Sequence, residues 1–257
     1  MLIDTHCHIH ETDYPLNIDE TLRHASDNGV KQLICVGTSV DSSVRAIEFA
    51  EKYPQNYAAI GVHPHETKDG YEELATIIKT GNPVAIGEIG LDYFYNYSPR
   101  EVQSKALEWQ IDLALRNSLP IIFHVREDPS TEQPLSAFRD FWSILDNFKA
   151  IHGVLHSFTD SQANLQEALK RGLYIGVNGI STFTKDDTQI ATFRSIPLSR
   201  LLLETDAPYL TPVPFRGKPN EPAYIKNIAE FHAGLRDIPF DEVAETTSAN
   251  ARALFNL

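Results

Sequence analysis

The stretch Leu2-Ile3-Asp4-Thr5-His6-Cys7-His8 is a short apolar start that runs directly into histidines. In an extended strand, residues two apart share a face. His6 and His8 therefore point at one spot with Asp4 behind them, and Cys7 has the opposite parity. Two neutral imidazoles aimed at one point make half of a metal site, because each offers a lone pair to a divalent cation. An isolated His-X-His is more often a polar strand end. What recurs downstream decides between the two.

The same unit returns along the chain. Ile18 to Asn28 has helical character and closes at Gly29, and Lys31–Val36 is an apolar run between Gly29 and Gly37. Asp41 to Tyr53 is amphipathic, with Asp41 as its cap and Pro54 beyond its end. Strand Tyr57–Val62 meets His63-Pro64-His65. Helix Tyr71–Thr80 leads to strand Val84–Gly87, which ends at Glu88. Ser98-Pro99 opens a helix to Asn117, with Pro99 in its first turn. Strand Pro120–Phe123 ends at His124, helix Glu132–Asp146 follows, and strand Gly153–Leu155 ends at His156. Helix Ser161–Arg171, strand Leu173–Val177, helix Asp186–Arg194 and strand Arg200–Thr205 lead to Asp206. Helical segments Glu221–Leu235 and Asp241–Phe255 close the chain.

Repeated strand–helix units call for parallel strands with crossover helices. Eight of them in 257 residues match an α/β fold, a single (β/α)8 TIM barrel with an extra C-terminal helical segment, spanning residues 1–257 as one unit. A doubly wound open sheet is the other arrangement of such units. The Pro-rich stretch Pro208 to Pro222 reads as the last strand-to-helix loop.

In a parallel barrel the C-terminal strand ends form one mouth, where active sites sit. His6, His8, His63, Glu88, His124, His156 and Asp206 all fall at such ends, on six different strands. Chance scatter would leave about half of them elsewhere. Four histidines and two carboxylates exceed the needs of one tetrahedral metal. They suit two divalent cations (Mg²⁺, Zn²⁺ or Mn²⁺) bridged by Glu88, one also held by His6, His8 and Asp206, the other by His124 and His156. Asp206 can serve as the general base that takes a proton from water.

Formal net charge is −13, from 35 acidic and 22 basic residues. Such a chain does not coat nucleic acid by electrostatics, although a local phosphate-ester site remains open to it. No apolar run reaches membrane-spanning length, the start lacks signal-peptide character, and two cysteines make no disulfide framework. A cytoplasmic setting, no membrane association and no obligate protein partner are expected.

The motifs Asp4-Thr5-His6-Cys7-His8, Gly61-Val62-His63-Pro64-His65, Gly87-Glu88-Ile89-Gly90-Leu91-Asp92-Tyr93, His124-Val125-Arg126, His156-Ser157-Phe158 and Glu204-Thr205-Asp206-Ala207-Pro208-Tyr209-Leu210, with the loop Pro214 to Pro222, span nearly the whole chain. It resembles the TatD family of metal-dependent deoxyribonucleases, within the amidohydrolase-like barrels. The resemblance implies ligands at His6, His8, Glu88, His124, His156 and Asp206. Many related barrels bridge their metals with a carbamylated lysine at strand 4; Glu88 stands there instead. Asp160 departs from the glycine the family often carries after His-Ser-Phe-Thr.

The function this implies is phosphodiester hydrolysis at DNA ends or on single-stranded DNA, 3′–5′ exonuclease-like. Another ester on the same metals, such as a D-aminoacyl-tRNA or a small carboxylic ester, is the alternative. The convergence of six ligands argues against a non-catalytic metal-bound scaffold. His65, His63, Arg216 and Tyr93 are the candidate substrate contacts. The histidines can hold phosphate, Arg216 can fork onto its oxygens, and Tyr93 (with Phe94) can stack on a base. Arg126 and Asp92 are candidates to support neighbouring groups.

Overall fold

Apolar runs bounded by glycine, proline and polar turns become strands, each paired in parallel with the next in sequence. The computed structural model describes residues 1–95, 97–129 and 136–257. Its strands are β1 (Leu2–Cys7), β2 (Val30–Val36), β3 (Tyr57–Ile60), β4 (Ala85–Asp92), β5 (Ile121–Arg126), β6 (Gly153–Leu155), β7 (Tyr174–Val177) and β8 (Leu201–Leu203), in one eight-stranded sheet of that order. The sheet curls into a nearly closed barrel, not an open doubly wound sheet. At the seam, Asp206 N–H donates to His6 O at 2.8 Å and His8 N–H to Ala207 O at 2.7 Å. The buried Asp4 carboxylate accepts from the Thr205 N–H at 2.9 Å and its hydroxyl at 2.5 Å. Burial pushes Asp4 up to about 8 despite those bonds.

The helices are α1 (Ile18–Asp27), α2 (Val40–Lys52), α3 (Leu74–Gly81), α4 (Arg100–Arg116), α5 (Ala137–Leu145), α6 (Gln162–Lys170), α7 (Ile180–Phe183), α8 (Asp187–Ser195), α9 (Ile225–Arg236) and α10 (Phe240–Phe255). Side-chain oxygens of Asn17, Ser39, Ser136, Ser161 and Asp186 accept from first-turn N–H groups and so fix where five of them begin. Ser39, not Asp41, caps α2, since its hydroxyl reaches Ser42 N–H at 3.1 Å. Pro99 stands one residue before α4. The expected start of the fifth helix, Glu132, lies outside the described residues. Short α7 has no counterpart in the sequence pattern, because four residues show no helical period.

Two apolar layers hold the barrel. One lies between strands and helices, where Phe123 and Phe141 meet edge-on at 5.1 Å. The other fills the barrel interior with Ile3, Ile34, Val36, Ala59, Ile122, Val154 and Leu202. Ala251, Leu254 and Phe255 of α10 join this interior cluster, and Ser248 Oγ donates to Met1 O, so the extra C-terminal helix stops the N-terminal end of the barrel. Truncating such a plug residue, Leu254→Ala, costs about 2–5 kcal/mol. Among the described residues no helix is long and apolar enough to cross a membrane.

Two bulges aim the ionisable residues. Asp4 pairs with Leu33 but Cys7 with Cys35, and Ile86 pairs with Ile121 but Ile89 with Phe123. One extra residue in β1 and one in β4 reverse the side-chain alternation. Ile3 and Ala85 can then fill the barrel while His6 and Glu88, further along, also face inward. Glu88 and His124 consequently sit inside their strands and not at the ends, because β4 and β5 stay paired as far as Asp92 and Arg126. Gly87 and Gly90 permit that approach: a Cβ on Gly87 would lie 2.4 Å from Ile122 Cβ, and one on Gly90 1.7 Å from His124 O.

Candidate metal centre

The mouth holds a pocket of about 720 Å³ whose walls include His8, His63, His65, Glu88, His124, His156 and Asp206. Glu88 stands at its centre. Its Oε2 faces His6 Nε2 at 3.4 Å and His8 Nε2 at 3.9 Å. Its Oε1 faces His124 Nδ1 at 2.8 Å and His156 Nε2 at 3.0 Å. Asp206 Oδ1 lies 3.3 Å from His8 Nε2 and 3.8 Å from His6 Nε2. The donor atoms of His6, His8 and Glu88 form one compact cluster, and those of Glu88, His124 and His156 another. All six side chains expected as ligands meet here, with Glu88 common to both clusters.

Hydrogen bonds on the far sides of the rings set which nitrogens carry lone pairs. His8 Nδ1 lies 2.8 Å from Val36 O and must donate to it, which leaves Nε2 free toward Asp206. Asp92 Oδ2 takes the Nε2–H of His124 at 3.1 Å, leaving Nδ1 toward Glu88. Glu204 Oε1 stands 3.2 Å from His156 Nδ1, close enough for charge pairing but without hydrogen-bond geometry, and accepts the Ser157 N–H instead. His6 and His8 bring their Nε2 atoms within 3.1 Å of each other, and among the described residues His6 Nδ1 has no hydrogen-bond partner. Facing imidazole nitrogens at that distance need a proton or a cation between them. The donor set fits divalent metal.

Burial works against every charge here, yet ion pairing mostly outweighs it. Glu88 is held well below the usual carboxylate range by His156 and His124, and Asp206 is lowered by His8 and His156. His156, His8 and His124 are correspondingly raised by the carboxylates, whereas burial lowers His6. The buried carboxylates demand positive charge, which imidazolium protons or divalent cations can supply.

His63 Nδ1 accepts the His65 N–H at 3.2 Å, so its Nε2–H faces the pocket, 3.6 Å from Glu88 Oε1; burial holds this ring neutral. His65 Nε2 meets Asp92 Oδ2 at 2.9 Å, sharing that oxygen with His124. Two expected substrate contacts lie elsewhere. Tyr93 is only 4 % exposed, donates to Asp140 at 2.8 Å and lies under the Arg100 guanidinium, because it follows β4 on the side facing α5. Arg216 donates to Thr211 O at 2.8 Å and lies 3.9 Å over the Phe183 ring, outside the pocket walls. Arg126 does line the pocket. Its position two residues after His124 on one strand was the readable signal. Glu204, two residues before Asp206, adds a buried negative charge beside His156 that the sequence reading does not single out. Asp160, just before the Ser161 cap of α6, accepts from Ser161 N–H and Asn164 Nδ2, both at 2.6 Å.

A parallel barrel whose mouth gathers four histidines and two carboxylates as candidate ligands, with His63 and His65 beside them, has the plan of a metal-dependent hydrolase. The chain belongs to the TatD-related DNase family, whose sequence model matches residues 3–256. It is 38% identical to the uncharacterized metal-dependent hydrolase YabD of Bacillus subtilis over 100% of both chains. It is 34% identical to the 3′-5′ ssDNA/RNA exonuclease TatD of Salmonella typhimurium, over 100% of this chain and 99% of that one. The crystal structure of YjjV, a TatD homologue from Escherichia coli K12, superposes with a TM-score of 0.89 at 31% identity, covering 100% of this chain and 98% of that one. The protein is a hydrolase of this metal-dependent family.

Proposed function

We propose that the protein hydrolyses phosphodiester bonds at the 3′ end of unpaired DNA, with two divalent cations (Mg²⁺, Zn²⁺ or Mn²⁺) shared across Glu88. The observation that carries the proposal is the splitting of the Glu88 oxygens, Oε2 toward His6 and His8, Oε1 toward His124 and His156. Cations held there would supply Lewis acidity to a phosphoryl oxygen and lower the pKa of water. Asp206, kept ionised at the wall, takes the proton of the attacking water. His63 offers its Nε2–H to a phosphoryl oxygen, and Asp92 holds His124 in the tautomer described. A pocket at the end of a barrel admits a strand terminus more readily than the middle of a duplex. The relatives named as 3′-5′ ssDNA/RNA exonucleases support the same substrate class. Residues 1–257 act as one unit, and the free, buried Cys7 and Cys35 suit the reducing cytoplasm.

Digestion of a 5′-labelled single strand, with metal removed by chelation and each cation restored in turn, tests this. Stepwise shortening from the 3′ end that needs metal is expected. No cleavage with any of these cations, alongside turnover of a D-aminoacyl-tRNA or a carboxylic ester, would overturn it.

A further inference from the structure

Among the described residues, the exposed large aromatic side chains are Phe94, Tyr95, Tyr97 and Tyr209. They stand on only two loops, those after β4 and β8, and Tyr95 and Tyr209 line the metal pocket. Scattered apolar surface residues need no explanation, but aromatics confined to one rim do. We propose that Tyr95, Tyr97 and Arg126 form a ledge on which unpaired nucleobases of the substrate strand stack beside the metal centre. The proposal rests on the phosphodiesterase reading and adds how the strand is recognised.

The ledge is built in advance. The Tyr95 and Tyr97 rings lie within 6° of parallel, with centroids 5.4 Å apart. His65 braces both edge-on at 5.4 and 4.8 Å. The Arg126 guanidinium lies 4.2 Å over Phe94 and 4.8 Å over Tyr95. Asp92 Oδ1 accepts from the Phe94 and Tyr95 N–H groups at 3.0 and 2.9 Å, while its other oxygen holds His65 and His124. One carboxylate thus fixes the ledge relative to a candidate metal ligand.

Charge decides the occupant. Duplex backbone needs a field of cations, and a chain of net charge −13 does not provide one. Arg126 is the only lysine or arginine lining the pocket among the described residues. One cation with several π-faces suits unpaired bases, which stack on aromatics regardless of sequence. Paired bases are already stacked and have no free face to offer.

Two short 5′-fluorescein single strands, identical except that the 3′-terminal nucleotides of one are abasic, separate base from backbone binding. Anisotropy titrations are run with metal-loaded protein at low temperature, and cleavage is followed separately. The parent should bind the base-bearing strand roughly ten- to hundredfold more tightly. Tyr95→Leu should bring that ratio close to one, and Tyr95→Trp should retain it; the Trp variant and the parent still decide the matter if the Leu variant does not fold. Equal binding of the two strands by the parent, or an undiminished ratio in folded Tyr95→Leu, would overturn the ledge. A retained ratio without cleavage of either strand supports the ledge and refutes the phosphodiesterase. Cleavage of both strands with equal affinity refutes the ledge alone.

Discussion

Replacing Asp92 by asparagine tests how the histidines are held. Its side chain is fully buried, and Oδ2 accepts ring N–H groups from His65 at 2.9 Å and His124 at 3.1 Å. Burial opposes its charge, but those two bonds keep the carboxyl well below its usual range. Asparagine can keep the backbone bonds from Phe94 and Tyr95 on its oxygen. Its amide then turns donors toward two ring donors. Each hydrogen bond to a charged group contributes about 1.5–3 kcal/mol, so losing both and partly re-pairing costs about 3 kcal/mol of stability in the metal-free protein. If His124 flips tautomer to re-pair, its Nδ1 lone pair no longer faces Glu88, and metal affinity falls roughly 10–100-fold. Denaturant unfolding of the metal-free variant and calorimetric titration with Zn²⁺ or Mn²⁺ read the two effects separately. Parent-like metal affinity in the folded variant would refute the orienting role.

Glu88→Ala should fold, with circular dichroism like the parent's, and lose more than about a hundredfold in turnover together with bound metal; near-normal turnover at ordinary metal content would refute bridging. Arg216→Ala should cost about 1 kcal/mol of stability through its lost contacts to Thr211 O and the Phe183 ring, and should affect charged and uncharged substrates alike. A loss confined to phosphodiesters would put Arg216 back at the phosphate. Burial and Arg236 hold His232 well below its ordinary 6.5, so the folded state keeps it neutral, with Nδ1 accepting from Arg236 at 2.7 Å. A depressed folded value means stability is complete above pH 6.5 and declines as pH falls below it, by up to about 1.4 kcal/mol per pH unit. Unfolding curves from pH 7.5 down should be flatter by that slope in His232→Gln; an unchanged slope would refute it.

Hydrophobic spacing made the barrel legible, because glycine and proline separate the apolar runs and each run ends near a polar residue. Parity in Asp4 to His8 placed two histidines on one face. It did not reveal that Ile3 also faces inward, since a bulge is a backbone event with no side-chain signature in β1. The bulge at Glu88 likewise hid the continuation of β4 to Asp92. That continuation buries Tyr93 and delivers Tyr95 to the rim. From residue types alone, any aromatic in Tyr93-Phe94-Tyr95 is equally suited to a base. Arg216 was favoured for its loop beyond Asp206, yet a loop arginine finds whatever carbonyl and ring lie nearest. Arg126, fixed by the strand that carries His124, was the better-determined cation.

The metal centre itself is tested most directly by diffraction from crystals grown with Mn²⁺, with anomalous maps collected at the manganese edge. Two peaks about 4 Å apart are expected, one bounded by His6, His8 and Asp206, the other by His124 and His156, with one oxygen of Glu88 at each. A single peak away from Glu88, or none at the barrel mouth, would contradict it.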